Sequence, residues 1–169
     1  YEVVFVDDNS PDGTSEEVQV FMKKSGNVHL IRRVGRRGLS GAVIEGIFAS
    51  NASLVAVIDC DLQHDESKLL EMLTLFKQNT KLDVVIGSRF AEGGEISYGA
   101  FSKFREMGSK VITFVIKKLL NINSTDPLSG FFMVKKESFL THSEKLQTQG
   151  FKVLADFLAV SGQNLEVIE

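Results

Sequence analysis

The stretch SLVAVIDCDLQHDESKLLEML, residues 53–73, decides the fold class and carries the first functional signal. Its apolar run, Leu54–Ile58, is short and rich in β-branched residues, which predicts a buried strand. Apolar residues then recur at helical spacing after Asp65, Glu66 and Ser67, three residues that suit the first turn of a helix. The stretch is therefore predicted to form a strand, an acidic loop and a helix.

The same alternation of strand and helix patterns continues along the chain. Strands are predicted at residues 2–7, 28–32, 54–59, 83–87 and 130–134. Helices are predicted at residues 14–24, 38–50, 67–78, 101–120 and 151–160, and residues 91–99 are predicted to be a glycine-rich loop. Such alternation indicates an α/β domain with a mostly parallel sheet.

Composition narrows the function classes. The 169 residues suit one domain, and 43% hydrophobic with 24% charged residues indicates a globular chain. A net charge of −3 argues against a general nucleic-acid binder, which needs a strongly basic face. Cys60 is the only cysteine, so no internal disulfide can form. No run of 18 apolar residues occurs, so no membrane-spanning helix is predicted.

Polar clusters follow three of the predicted strands. They are DDNS at 7–10, DCD at 59–61 and GSR at 87–89. In open α/β sheets, ligands bind beyond the carboxyl ends of the strands. If these strands are parallel, the three clusters lie along one edge of the sheet and form a candidate site.

Asp59 and Asp61 are candidate metal ligands. Residues i and i+2 of an extended segment point the same way, so the two carboxylates repel unless a cation lies between them. Oxygen ligands that share the metal with phosphates indicate Mg²⁺ or Mn²⁺. The alternative is that one aspartate caps the helix and the other is solvated, but their position after a buried strand favours metal. Zinc is disfavoured, because Cys60 and His64 have no other cysteine or histidine close in sequence.

The segment after the first predicted strand divides into a turn and two unexplained acids. Residues 11–13 suit a tight turn, and Thr14 with Glu17 suits a capping box. Asp7 and Asp8 receive no structural role from this pattern. A carboxylate at a strand end can accept hydrogen bonds from a base or a ribose, so both are candidate nucleotide ligands.

The basic segment before the second predicted helix is a candidate phosphate site. Arg32, Arg33, Arg36 and Arg37 precede a glycine-rich helix start at 38–41, where guanidinium groups and free N–H groups both favour anions. A solvated basic face is the alternative.

The predicted helix at 101–120 is basic and amphipathic, with Arg105 and Ser109 one turn apart. A helix on a membrane surface and an ordinary core-packing helix both fit it.

Six segments occur in the order found in one enzyme family. They are VVFVDDNSPDGT (3–14), RRGLSGAVIEG (36–46), VAVIDCDLQHD (55–65), VVIGSRF (84–90), the Arg105 and Ser109 helix, and STDPLSGFF (124–132). The chain thereby resembles the dolichol-phosphate mannosyltransferase branch of the family-2 inverting glycosyltransferases, over nearly its whole length. The opening P-T-Y-N-E segment of that family is missing, and related bacterial enzymes carry C-terminal membrane helices.

The resemblance implies a GT-A fold, with a Rossmann-like, mostly parallel sheet flanked by helices. Residues 1–169 would be a single glycosyltransferase catalytic domain, truncated at both ends, where the chain opens and stops within predicted strands. The implied donor is a nucleotide-sugar, with GDP-mannose favoured, and the implied acceptor is a polyprenyl phosphate. Mg²⁺ or Mn²⁺ is the implied cofactor. The implied location is the cytoplasmic face of a membrane, reached peripherally or through segments outside this chain, with no nucleic-acid partner.

The resemblance also assigns roles to residues. Asp59, Asp61 and Gln63 match the segment that holds the metal and diphosphate. The donor nucleotide is assigned to Asp7, Asp8, Gly38 and Gln63, with Asp8 on the nucleoside. The acceptor phosphate is assigned to Arg89, Arg105 and Ser109, which complete the catalytic set with Asp59 and Asp61.

Three alternatives to a mannosyltransferase stay open. The sugar can be glucose or another hexose, since many relatives carry a basic residue where this chain has Phe132. A sugar nucleotidyltransferase would need a glycine-rich basic signature near its N-terminus, which this sequence lacks. A non-catalytic subunit of a membrane assembly could keep the same fold.

Overall fold

The structure, a computed structural model, describes residues 1–88 and 124–169. Its strands are β1 (Val3–Asp7), β2 (Val28–Arg32), β3 (Leu54–Ile58), β4 (Val84–Ile86), β5 (Phe131–Lys135) and β6 (Val167–Ile168). Its helices are α1 (Thr14–Lys24), α2 (Leu39–Ala49), α3 (Lys68–Gln78), α4 (Lys136–His142) and α5 (Val153–Ser161), with 3₁₀ turns at Ser143–Lys145 and Gly162–Asn164.

The predicted elements match these bounds closely, with three differences. The helix α4 was not predicted, because its seven residues offer few apolar positions to set a period. The predicted capping box is wrong: α1 has no side-chain cap, and Asp12 Oδ1 instead accepts bonds from the backbone N of Thr14 at 3.0 Å and its Oγ1 at 2.6 Å. The start of α5 lies two residues after the predicted one. The predicted loop at 91–99 and helix at 101–120 lie outside the described residues.

The strands pair in two sheets. β1 and β2 form a parallel pair, and the other four strands are ordered β3-β5-β4-β6. β5 runs antiparallel to both β3 and β4, whereas β6 runs parallel to β4. The sheet therefore differs from the predicted, mostly parallel one at β5. This strand begins at the edge of the sheet where β3 and β4 end.

The core lies on both faces of the four-stranded sheet. Alternate residues of β5 face opposite ways, so that Phe132 and Val134 join a cluster with residues of α2, α4 and α5. Phe131 and Met133 join a second cluster with residues of α3. Helices thus cover both faces, which explains why β4 and β5 are continuous apolar runs without alternation. Within the described ranges, no helix is both long and apolar enough to cross a membrane.

The carboxyl ends of β3 and β4 meet at one edge of the sheet, on either side of the start of β5. The backbone N of Asp59 donates to the carbonyl of Gly130 at 3.2 Å, and the backbone N of Gly87 donates to that of Phe131 at 2.9 Å. Ser129 Oγ adds a bond to the Gly87 carbonyl at 2.9 Å. The predicted meeting of the DCD and GSR segments at one edge is therefore confirmed as far as Ser88.

Candidate functional site

The carboxylate of Asp59 packs directly against Gly130. A Cβ atom built on Gly130 would lie 1.9 Å from Oδ2 and 3.0 Å from Oδ1 of Asp59, so only glycine fits at this position. The backbone bond between the two residues holds β3 and β5 in the same register. Close packing between β3 and the 124–132 segment thus sets the position of the first predicted metal ligand.

Asp61 lies in the exposed loop that follows Asp59. Its Oδ1 accepts a bond from the backbone N of Gln63 at 3.0 Å. This turn places the intervening Leu62 in the left-handed region, with φ 61°, and leaves that side chain 98% exposed. A left-handed residue other than glycine costs about 1–2 kcal/mol. The loop thus keeps Leu62 in a strained conformation, and the bond across it holds Asp61 and Gln63 at the exposed edge.

The charges of both aspartates act on the residue between them. The pKa of the Cys60 thiol is raised, first by its partial burial and then by the negative charges of Asp59 and Asp61.

Within the described residues, no group of three or more His, Cys, Asp or Glu side chains could hold a metal ion. Mg²⁺ needs only one or two protein carboxylates when phosphates supply further oxygens, so this donor set fits Mg²⁺ or Mn²⁺ together with a phosphate ligand.

Asp59 also lines a cavity of about 160 Å³. Its walls come from the first two turns of α2, the loop before β5 and the start of α5. The lining residues are Leu39, Val43, Val57, Asp59, Pro127, Leu128, Ser129, Gly130, Phe132, Phe151, Lys152, Val153 and Leu154. A mostly apolar wall with one carboxylate and one ammonium group suits a small ligand that carries hydroxyl groups.

Asp7 has a structural role that the sequence analysis did not find. Its buried carboxylate accepts bonds from the backbone N of Ser10 at 3.1 Å, from Ser10 Oγ at 2.6 Å and from Ser15 Oγ. The hydroxyl of Ser10, and after it that of Ser15, lowers the pKa of the Asp7 carboxyl. Asp7 therefore organises the turn between β1 and α1.

Asp8 and Gly38, both predicted to bind the donor nucleotide, contact each other. The backbone N of Gly38 donates to Asp8 Oδ2 at 2.7 Å, and Arg33 Nη1 donates to Asp8 Oδ1 at 2.6 Å. Gly38 immediately precedes α2, whose first turns line the cavity beside Asp59. The end of β1 is thereby joined to the same region as the ends of β3 and β4.

The predicted phosphate-binding arginines are mostly engaged within the protein. Arg33 is 3% exposed and pairs with Asp8. Arg36 Nη1 lies 2.7 Å from Glu45 Oε1, and Arg32 pairs with Glu16 and hydrogen-bonds Asn9. Among the described residues, Arg37 has no acidic partner. The prediction that these arginines face a phosphate is therefore wrong for Arg33, which is buried.

The acceptor residues Arg89, Arg105 and Ser109 lie outside the described residues, so their assignment stays a prediction. At the neighbouring Ser88, the hydroxyl lies 3.2 Å from Thr125 Oγ1. The carboxylate of Glu169 accepts the backbone N of Thr125 at 2.5 Å and its hydroxyl. The ends of β4 and β6 and the 124–132 segment are thus linked through contacts of Thr125 with Ser88 and Glu169, which the sequence patterns did not predict.

Three comparisons place the chain among known proteins. Residues 1–142 match the family described as Glycosyl transferase family 2. The dolichol-phosphate mannosyltransferase of Pyrococcus furiosus is 36% identical over 173 residues, covering 100% of this chain and 46% of the relative. That of Saccharomyces cerevisiae is 32% identical over 159 residues, covering 94% and 57%. The chain thus spans about half the length of the curated relatives that it matches.

Solved structures show the same fold at low sequence identity. Glucosyl-3-phosphoglycerate synthase of Mycobacterium tuberculosis matches with a TM-score of 0.64 and 16% identity, over 99% of this chain and 59% of that one. It has been solved with Mn²⁺, UDP-glucose and phosphoglyceric acid. A mannosyltransferase of Pyrobaculum calidifontis, solved with GDP-Man and Mn²⁺, matches with a TM-score of 0.61 and 18% identity, over 99% and 44%. The predicted GT-A fold is confirmed.

Proposed function

This chain belongs to glycosyl transferase family 2, and from that membership we propose that it transfers a sugar from a nucleotide-sugar to a polyprenyl phosphate. The curated relatives at 32–36% identity are named dolichol-phosphate mannosyltransferases, which favours mannose as the sugar and GDP-mannose as the donor. The observation that carries the proposal is the Asp59 carboxylate, seated on Gly130 at the sheet edge, with Asp61 two residues on.

Asp59, Asp61 and Gln63 would hold Mg²⁺ or Mn²⁺ at this edge. The metal would neutralise charge that develops on the leaving diphosphate. This assignment is supported by the fit of the donor set and by neighbouring structures of the same fold that contain Mn²⁺ or Mg²⁺ with a nucleotide or nucleotide-sugar.

The rest of the donor would extend from the metal along the start of α2. Asp8, held beside Gly38, would accept hydrogen bonds from the base or ribose. The sugar would occupy the cavity beside Asp59, where apolar side chains face the ring and the carboxylate accepts bonds from hydroxyl groups. Donor and metal would thus share one continuous surface at the carboxyl ends of the strands.

The reaction would be a single displacement with inversion. An oxygen of the acceptor phosphate forms a bond to the anomeric carbon of the sugar, while the bond from that carbon to the diphosphate breaks. The acceptor phosphate is already anionic near neutral pH, so no strong general base is needed. The task of Arg89, Arg105 and Ser109 would be to hold and orient that phosphate.

The acceptor is a membrane lipid, so we place the reaction at the cytoplasmic face of a membrane.

Two variants of this function remain distinguishable by experiment. One is transfer of glucose or another hexose, which is considered because this chain has Phe132 where many relatives carry a basic residue. The other is a non-catalytic subunit, which would bind metal and nucleotide without transferring sugar.

The test is a transfer assay with the full-length gene product. GDP-mannose, UDP-glucose and other nucleotide-sugars are offered in turn with a polyprenyl phosphate and Mn²⁺ or Mg²⁺. We expect one donor to yield a glycosylated lipid phosphate whose anomeric configuration is opposite to that of the donor. Nucleotide binding without transfer from any donor would indicate the non-catalytic subunit, and absence of both would refute the proposal.

Replacing Arg105 by alanine is expected to impair use of the acceptor about 10- to 150-fold. A charge-assisted hydrogen bond contributes roughly 1.5–3 kcal/mol, and 1.4 kcal/mol is a factor of ten. The Michaelis constant for polyprenyl phosphate should rise, or turnover fall, while donor affinity stays near wild type. Lys117→Ala, on the same predicted helix, is the control and should behave as wild type. A fall in donor affinity without a change in acceptor dependence would move Arg105 to the nucleotide side.

A further inference from the structure

Arg33 is a buried arginine to which the proposed reaction gives no task. It directly follows β2, and its backbone N donates to the Asp7 carbonyl at 2.8 Å. Its guanidinium extends under the first turn of α2, where Nη1 lies 2.6 Å from Asp8 Oδ1 and 3.2 Å from the Gly38 carbonyl. Its Nε lies 3.2 Å from Glu45 Oε1, although without the geometry of a hydrogen bond. One side chain thus touches the end of β1 and two points of α2.

The first turn of α2 is shaped around this guanidinium. A Cβ atom at Gly41 would lie 2.7 Å from Arg33 Nη2 and 3.0 Å from the carbonyl of Thr148. An alanine there would displace the end of the arginine side chain, which would lie nearer than the Thr148 carbonyl and moves more easily than backbone. Because glycine lowers helix stability by roughly 0.5–1 kcal/mol relative to alanine, its presence within α2 indicates that space for the arginine matters more than helix propensity.

Stability alone is a weak explanation for this ion pair between the buried Arg33 and the partly exposed Asp8. Desolvation of two charges consumes much of their attraction, and apolar replacements of similar volume are often as stable. What the pair does supply is a fixed carboxylate. Asp8 Oδ1 is held by Arg33 and Oδ2 by the backbone N of Gly38, so the plane of the carboxylate is set by two bonds. Each carboxylate oxygen has a second acceptor site beyond these bonds.

We propose that Arg33 is a positioning residue for the nucleoside half of the donor, acting through Asp8. This inference rests on the proposed function. The planar fork of arginine presents its donors in fixed directions, which a lysine ammonium cannot reproduce. With Asp8 held at both oxygens, its remaining acceptor sites face an incoming base or ribose in one orientation. The metal and diphosphate half of the site, at Asp59 and Asp61, does not depend on this arrangement.

The test separates the nucleoside from the diphosphate. Affinities for pyrophosphate and for GDP or UDP, whichever the wild type binds more tightly, are measured by calorimetry in Mn²⁺ with the full-length protein. Arg33→Lys is expected to weaken nucleotide binding about 10-fold and to leave pyrophosphate binding unchanged. Gly41→Ala, which displaces the guanidinium without changing a charge, should do the same. If Arg33→Lys does not fold, the nucleotide and pyrophosphate affinities of Gly41→Ala test the proposal.

Glu45→Gln is the matched control, because it weakens the Arg33 and Arg36 contacts to Glu45 and leaves the Arg33 contact to Asp8. It should lower the unfolding temperature and keep nucleotide affinity near wild type. The inference is overturned if nucleotide and pyrophosphate weaken together, if Glu45→Gln weakens nucleotide binding as much as Arg33→Lys, or if neither Arg33→Lys nor Gly41→Ala changes it. A wild type that binds neither nucleotide refutes the proposed function itself, and this inference with it.

Discussion

Gly130→Ala is expected to lower sugar transfer by about 100-fold and to remove most metal-dependent nucleotide binding. The added Cβ would lie 1.9 Å from Asp59 Oδ2 and 2.4 Å from its Cγ, far inside any contact that real atoms make. The backbone of Asp59 is bonded to that of Gly130, so the carboxylate can clear the added atom only by leaving its observed position. A shift of about 1 Å in a catalytic arrangement can lower a rate about 100-fold.

The control for this variant is Gly26→Ala. A Cβ at Gly26 meets no atom within 4 Å, and this glycine has no positive φ, so the change should leave binding and transfer as in the wild type. Thermal unfolding of both variants separates loss of the site from loss of the fold. If Gly130→Ala binds nucleotide with wild-type affinity in Mn²⁺, the carboxylate of Asp59 does not work from the position described.

Asp61→Asn is expected to abolish metal-dependent nucleotide binding and to lower transfer roughly 1,000-fold or more. A bound metal stabilises the transition state by several kcal/mol, and each 1.4 kcal/mol is a factor of ten. The fold should persist, because Asp61 is exposed and asparagine keeps an Oδ1 that can accept the bond from the backbone N of Gln63. The variant removes the charge and keeps the turn.

Asp65→Asn is a close control for that change. Asp65 is also exposed, in the same loop, and its Oδ1 accepts the backbone N of Ser67 at 3.0 Å, as Asp61 accepts that of Gln63. It should bind nucleotide and transfer sugar as the wild type does. Equal losses in the two variants would mean that general acidity of the loop, and not a ligand at Asp61, accounts for the effect.

The sequence predicted local structure well because short-range periodicity determines it. The apolar run Leu54–Ile58 and the helical spacing after it placed β3 and α3 to within a residue. The direction of β5 was not predictable in the same way. Its apolar residues fit a buried strand of either direction, and its orientation depends on pairing with β3 and β4, which lie far away in sequence.

The candidate site shows the same division. Asp59 and Asp61 stood out because two acids follow a buried strand, and the resemblance to a known family gave them roles. The packing of Asp59 on Gly130 and the ion pair of Asp8 with Arg33 could not be predicted, because each joins residues brought together only by the fold. The roles of Arg89, Arg105 and Ser109, which lie outside the described residues, stay predictions.

The most direct test of the account is a calorimetric titration of the wild-type protein with GDP and with UDP, in Mn²⁺ and again after the metal is removed by a chelator. We expect at least one nucleotide to bind in Mn²⁺ and its affinity to fall at least about 10-fold without metal, since the carboxylates of Asp59 and Asp61 then repel the diphosphate. Binding of equal strength with and without metal, or no binding of either nucleotide, would contradict it.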